Sequence, residues 1–135
     1  MAQTFHLRIV TPTQQIVREE TEEMQVPGKE GYLGILAGHA PLLSELQVGE
    51  ITYRQGRELR YLAVSWGFVE VLPEQVTVLA ETAEKSSDID VSRAQASKER
   101  AERRLNNPDP DTDINRATVA LQKSLSRLQV ASHGK

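Results

Sequence analysis

Up to about Ala80 the chain alternates between apolar and polar positions. Phe5, Leu7 and Ile9 are interleaved with His6, Arg8 and Val10, the period of two that a half-buried strand imposes. The alternation returns weakly over Glu22 to Val26 and clearly over Phe68 to Leu72 and Gln75 to Ala80. Thr52 to Arg54 and Leu59 to Val64 flank Gln55-Gly56-Arg57-Glu58, which predicts a hairpin bent at its glycine. Leu72-Pro73-Glu74-Gln75 predicts another turn, with the proline ending one strand before the next begins. Short strands broken by frequent turns predict an antiparallel β-sandwich or barrel. No helix-period stretch lies between them, which disfavours a βαβ nucleotide fold.

After Ser86-Ser87 the period changes. Asp90 is placed to cap a helix starting at Val91, with Asp88 adding negative charge near its positive end. Val91 to Leu105 is rich in Ala, Glu, Lys and Arg, all strong helix formers. Asn106-Asn107-Pro108-Asp109-Pro110 must stop that helix, because two prolines cannot continue its hydrogen-bond ladder. Asp111 or Asp113 then caps a second helix running to about Val130, with an apolar stripe of Ile114, Ala117, Leu121, Leu125 and Leu128. So short a loop predicts an antiparallel two-helix hairpin. The expected architecture is an N-terminal antiparallel β-sandwich over residues 1–87, followed by an αα-hairpin over residues 88–135.

The first helix offers mainly Val91, Ala94, Ala101 and Leu105, and two of these bury only a methyl group. At about 0.8 kcal/mol per buried carbon, such a face contributes little once the entropy of ordering is subtracted. The hairpin is therefore expected to be fastened to the sandwich only weakly, as a two-state switch requires.

Composition narrows the picture. Hydrophobic residues make up 39% of the chain and aromatics only 4%, so the core must be aliphatic. No cysteine is present, which excludes disulfides, thiolate metal sites and cysteine nucleophiles. Met1 to Val10 lacks the basic start and apolar run of a signal peptide, and no apolar run approaches the ~20 residues of a membrane span. The net charge of −3 hides an asymmetry. Through Ser87 there are 12 acidic and 7 basic side chains, and from Asp88 onward 7 acidic and 9 basic. Opposite signs along a short chain point to two surfaces made for different neighbours. No basic cluster interleaved with aromatics is present, which argues against nucleic acid.

Little in the chain resembles catalytic machinery. His6 is expected to face outward from the first strand, and His133 falls in a tail expected to fray. No pair of histidines has metal-ligand spacing, and no Walker, G-x-S-x-G or G-x-G-x-x-G motif occurs. Gly31 to Leu43 stands out instead. Its glycines loosen the backbone, and Pro41 drives Ala40 toward an extended conformation, making Gly38-His39-Ala40-Pro41 a shaped loop between strands. Two readings stay open: a structural turn whose histidine bonds local backbone, or a partner-holding loop on a rigid scaffold.

These residues resemble the epsilon subunits of bacterial and chloroplast rotary ATP synthases. Gly31 to Leu43 is similar to that family's E-G-x-L-G-I-x-x-G-H-A-P-L stretch. The likeness continues through Ser65 to Val71, Val76 to Ala80, Asp88 to Ala94, Glu99 to Leu105 and Ser126 to Val130. It implies a non-catalytic subunit of the central stalk in a proton-driven synthase, whose C-terminal helices inhibit ATP hydrolysis. Implied partners are the gamma subunit, the c-subunit ring and, when the hairpin extends, the beta and alpha subunits. The chain would be a monomer when isolated. It would lie peripherally on the cytoplasmic or stromal face of a plasma or thylakoid membrane, held there only through its partners.

Residue by residue, the resemblance implies contact with the ring or gamma at Tyr32, Gly38, His39, Ala40, Pro41 and Leu42, with Tyr32 standing where many relatives have glutamate. It implies an inhibitory basic face of Arg103, Arg104, Arg116, Lys123 and Arg127, residues that are equally explained as the solvated side of amphipathic helices. No cofactor is required, but ATP is implied as a regulatory ligand of the folded hairpin in some relatives. Glu84, Ile89, Asp90, Arg93, Ala94, Arg100 and Arg127 match those contacts, whereas Lys123 replaces an arginine. Asp90 and Arg93 are also explained as helix cap and surface residue. The rival reading is a freestanding β-sandwich binding module with a helical dimerisation tail, which the mass in solution distinguishes.

Overall fold

Alternation becomes strand where one parity can be buried. In the computed structural model, which describes residues 3–133, Phe5, Leu7 and Ile9 are buried along β1 (Phe5–Val10) while His6 and Arg8 face solvent. There follow β2 (Gln15–Thr21), β3 (Glu23–Gly28), β4 (Gly31–Leu36), β5 (Leu42–Leu46), β6 (Gly49–Gln55), β7 (Glu58–Val71) and β8 (Gln75–Lys85). Their order is β2-β1-β8-β7-β5-β3-β4, with β6 bridging β3 and β7. Every pairing is antiparallel except that of β1 with β8. This is the predicted sandwich, and its core is aliphatic as the composition requires: Leu7, Ile9, Val26, Ile35, Ile51, Leu62, Val69 and Val78 are all fully buried.

Leu59 to Val64 and Phe68 to Leu72, read from the sequence as separate strands, belong instead to one 14-residue strand, β7, which ends at Val71. Its first half pairs with β6, its second with β5, and both lie against β8. The bend between the halves falls at Trp66 (φ 46°) and Gly67 (φ 123°), which redirect the chain without breaking its register with β8. At Gly67 the strands come so close that a Cβ would lie 1.8 Å from the Leu79 carbonyl oxygen. Only glycine fits there.

A 3-10 turn (Ser86–Asp88) leads into α1 (Val91–Asn106) and α2 (Ile114–His133). Asp90 caps α1 by accepting a hydrogen bond from the Arg93 amide at 3.0 Å. Asp113, not Asp111, does the same for α2 through the Arg116 amide at 3.0 Å. The buried positions of the hairpin are Ala94 and Ala101 on α1, and Ala117, Ser124, Val130 and Ala131 on α2. The small residues recur every seven positions, two turns apart, on one face of each helix. This corrects the predicted stripe: Ile114 and Leu125 are exposed, and Leu121 and Leu128 are only half-buried. Small side chains let the helices approach closely, which pushes the larger ones to the flanks.

The hairpin does not share the sandwich core. Beneath α2 lies a separate small cluster of Ala63, Ile89, Val130 and Ala131, with Tyr61 at its edge. Burial of a Val or Ile side chain is worth roughly 1.5–3 kcal/mol, so this cluster supplies only a few kcal/mol of docking. The expected frayed tail at His133 is also corrected. That residue ends α2 and stacks on Tyr61, ring centroids 4.2 Å apart.

Candidate functional site

Two ends of the sandwich carry the residues singled out from the sequence. At one end, Gly38 (φ 81°) opens the loop after β4, and its amide donates to the Pro73 carbonyl at 2.8 Å. His39 Nδ1–H donates to the Ala40 carbonyl at 2.7 Å, the local backbone bond expected of a shaped turn. Ala40, Pro41 and Leu42 are exposed, and so are Leu36 and Leu72 flanking them. The loop thus presents an apolar rim around a rigid bend. Tyr32 is not part of it. It sits at the opposite end of β4, where its hydroxyl accepts a hydrogen bond from the Glu50 amide at 3.1 Å, on the side where α2 docks.

An apolar patch that the sequence reading passed over covers one outer face of the sheet. Phe68 on β7 is directly opposite Leu79 on β8, and Leu43 on neighbouring β5 points the same way. All three are about half exposed or more. The strands carried only a short signal: Phe68-Val69 and Val78-Leu79-Ala80 put apolar residues at both parities inside otherwise alternating segments. Such a run marks a strand meant to be covered on both faces. Glu45 opposite Phe68 and Glu70 opposite Leu43 give these apolar side chains a polar rim, the composition of a partner surface.

At the other end α2 is held by polar contacts. Ser126 donates its hydroxyl to the Gly49 carbonyl at 3.0 Å. The Lys123 ammonium lies 4.4 Å from the centroid of the Trp66 ring, a cation–π contact. Arg127 Nε donates to Glu84 Oε1 at 2.6 Å, with both side chains one-third exposed. The five basic residues therefore divide. Arg103 and Arg104 in the last turn of α1 and Arg116 in the first turn of α2 are exposed near the hairpin tip, alongside Asp109, Asp111 and Asp113. Lys123 and Arg127 are turned against the sandwich and masked.

Glu84, Asp90, Arg93, Ala94 and Arg127 line one open cleft between β8 and the start of α1. Ile89 and Arg100 are not among its walls: Ile89 is buried in the cluster under α2, and Arg100 is exposed on α1. The cleft also holds Glu81 and Asp88, so two guanidinium groups face four carboxylates, one of which already pairs with Arg127.

Residues 4–86 match the model of the ATP synthase delta/epsilon chain β-sandwich domain, and residues 87–132 that of its long α-helix domain. The ATP synthase epsilon chain of Koribacter versatilis is 56% identical over 133 residues, covering 98% of this chain and 94% of that protein. The ATP synthase epsilon chain 2 of Syntrophotalea carbinolica is 48% identical, covering 99% and 98%. Among solved structures, a chain of the Euglena gracilis mitochondrial ATP synthase has a similar fold, with a TM-score of 0.82 at 23% identity over 96% of this chain and 82% of that one.

Proposed function

Because the chain belongs to the ATP synthase delta/epsilon-chain family, we propose that it is a non-catalytic rotor subunit whose hairpin is a built-in brake on ATP hydrolysis. The sandwich is the fixed part. Its Leu43, Phe68 and Leu79 face seats the gamma subunit, and the rim around His39 and Pro41 rests on the c ring, so that proton-driven rotation passes through it to ATP synthesis. No described helix is long and apolar enough to cross a membrane, and in this reading the bilayer is reached only through those partners.

The observation that carries the brake is the masking of Lys123 and Arg127. In the docked posture Lys123 rests on the Trp66 ring and Arg127 is paired with Glu84, and release of α2 frees both. Together with Arg103, Arg104 and Arg116 they would form a basic face suited to an acidic surface on the beta and alpha subunits. Each surface contact is worth only ~0–1 kcal/mol, so exchanging sandwich contacts for head contacts is nearly balanced. A balanced exchange lets a small signal decide the posture. A chain ending at Ser87 keeps β8 complete. Assembled into the synthase, it is expected to raise ATP hydrolysis severalfold while leaving synthesis intact, as read by coupled-enzyme and proton-driven synthesis assays. Unchanged hydrolysis would refute the brake.

A second reading, ATP as a ligand of the docked hairpin, is supported by the convergence of Glu84, Asp90, Arg93, Ala94 and Arg127 on one cleft. The excess of carboxylates there works against a polyphosphate. Arg127 would have to exchange Glu84 for phosphate, which predicts weak binding. Calorimetric titration of the full chain should show millimolar affinity, reduced about tenfold or more by Arg93→Ala, since a charge-assisted bond is worth ~1.5–3 kcal/mol. An absence of heat at millimolar ATP would remove this reading.

A further inference from the structure

Arg8 on β1 and Arg18 on β2 are direct cross-strand neighbours on the outer face of the sheet, and both are exposed. Like charges set opposite each other across a sheet repel and weaken it. Among the described residues neither guanidinium pairs with a carboxylate. Arg8 Nε donates to the neutral Gln15 Oε1 at 3.3 Å, and Glu20, two residues along β2 from Arg18, lies against His6 at 3.5 Å. The repulsion between the two arginines is left standing in the free chain.

The pair borders the apolar patch. Val10, the next outward residue on β1, is in register with Leu79, which faces Phe68 across β8 and β7. One row along, Arg18, Arg8, Thr77, Glu70 and Leu43 follow one another across β2, β1, β8, β7 and β5. Two cations thus stand at one margin of the face and Glu70 toward the other, with Thr77 between them. Glu70 has no cation partner among the described residues, whereas Glu45 is held by Lys29 at 3.1 Å. The face carries a fixed polarity across its apolar centre.

Resting on the reading of this face as the gamma seat, we infer that Arg8 and Arg18 form a clamp for an acidic segment of the gamma subunit. A guanidinium meets a carboxylate through two parallel hydrogen bonds, and adjacent arginines offer two such forks side by side. Binding then relieves the repulsion that the free chain tolerates. Charges at the edge of an interface steer a partner and fix its register. Gamma is admitted with its acidic segment over β1 and β2, and the reverse orientation sets like charges together. An anionic lipid headgroup would offer the arginines the same charge. Glu45 and Glu70 on the same face repel such a bilayer, which favours a protein partner.

Arg8→Glu turns the repelling pair into an attracting one. The full chain with this change is expected to bind gamma about tenfold more weakly and with a flatter dependence on salt. Its folded-to-unfolded ratio should meanwhile rise, by up to about fivefold. A merely structural pair would not couple a gain in stability to a loss of binding. Arg57→Glu, in the exposed β6–β7 turn, makes the same change in net charge outside this face and should bind as wild type. Surface plasmon resonance on immobilised gamma at low and high salt, beside urea unfolding, reads all of these. Wild-type binding by Arg8→Glu, while Phe68→Glu with Leu79→Lys loses gamma, overturns the clamp and leaves the seat standing. An Arg8→Glu chain less stable than wild type overturns it too, because the arginines would then be satisfied in the free fold. Arg8-dependent capture by phosphatidylglycerol vesicles, with gamma binding unchanged, assigns the pair to lipid and equally overturns the clamp. Retention of gamma by the Phe68→Glu, Leu79→Lys chain removes the seat and the clamp together.

Discussion

Gly67→Ala is expected to cost more than about 4 kcal/mol, the scale reserved for backbone strain and severe overpacking, and to leave little folded chain. The added Cβ would sit 1.8 Å from the Leu79 carbonyl oxygen and 2.9 Å from its carbonyl carbon, atoms of backbone rather than of a side chain that could swing away. Relief would require pulling β7 off β8 where Gly67 pairs with Ala80, at the bend that carries one strand past both β5 and β6. The φ of 123° adds a penalty for any side chain. Gly34→Ala is the control. It has no atom within 4 Å of its Cβ position and no left-handed backbone, so urea unfolding should show a stability change of less than about 0.5 kcal/mol. A Gly67→Ala chain that unfolds at the wild-type midpoint would refute the close approach.

The second large effect concerns assembly rather than folding. Phe68→Glu combined with Leu79→Lys should abolish capture by the gamma subunit, weakening it by about a hundredfold or more, since central apolar anchors of an interface contribute ~2 kcal/mol or more each. The two positions pair directly across β7 and β8, so opposite charges there attract and offset the like charge that Glu45 on β5 sets opposite position 68. Both side chains are already about half exposed, and the unfolding free energy should stay within about 1 kcal/mol of wild type. Co-purification with gamma, read beside circular dichroism of the free variant, separates the two effects. Full retention of gamma by a folded double variant would place the stalk elsewhere on the sandwich.

What could be read from the sequence follows from what each signal encodes. Parity located β1 and the first half of β8 because solvent wets one side of those strands, and Asp90 announced α1 because a cap is a local device. The outer patch was hidden for the opposite reason: Phe68 and Leu79 look like ordinary strand residues until their neighbours are known. The continuity of β7 was hidden at Trp66, because a positive φ at a bulky residue leaves no trace in composition. On the helices, attention to large apolar side chains favoured Ile114 and Leu125 over the alanine and serine series that is actually buried. Lys123, Arg127 and His133 were legible as charge or as tail. Their partners Trp66, Glu84 and Tyr61 lie 57, 43 and 72 positions away by residue number, and only the folded sheet brings them together.

The position of Trp66 has one more consequence. It is the sole indole in the chain, and Lys123 of α2 rests on its face. Lifting the helix would remove a cation from the chromophore and let water take its place, altering the colour and yield of its emission. The unlabelled subunit thus carries its own optical gauge of posture, and that gauge is set in the bend that makes β7 one strand.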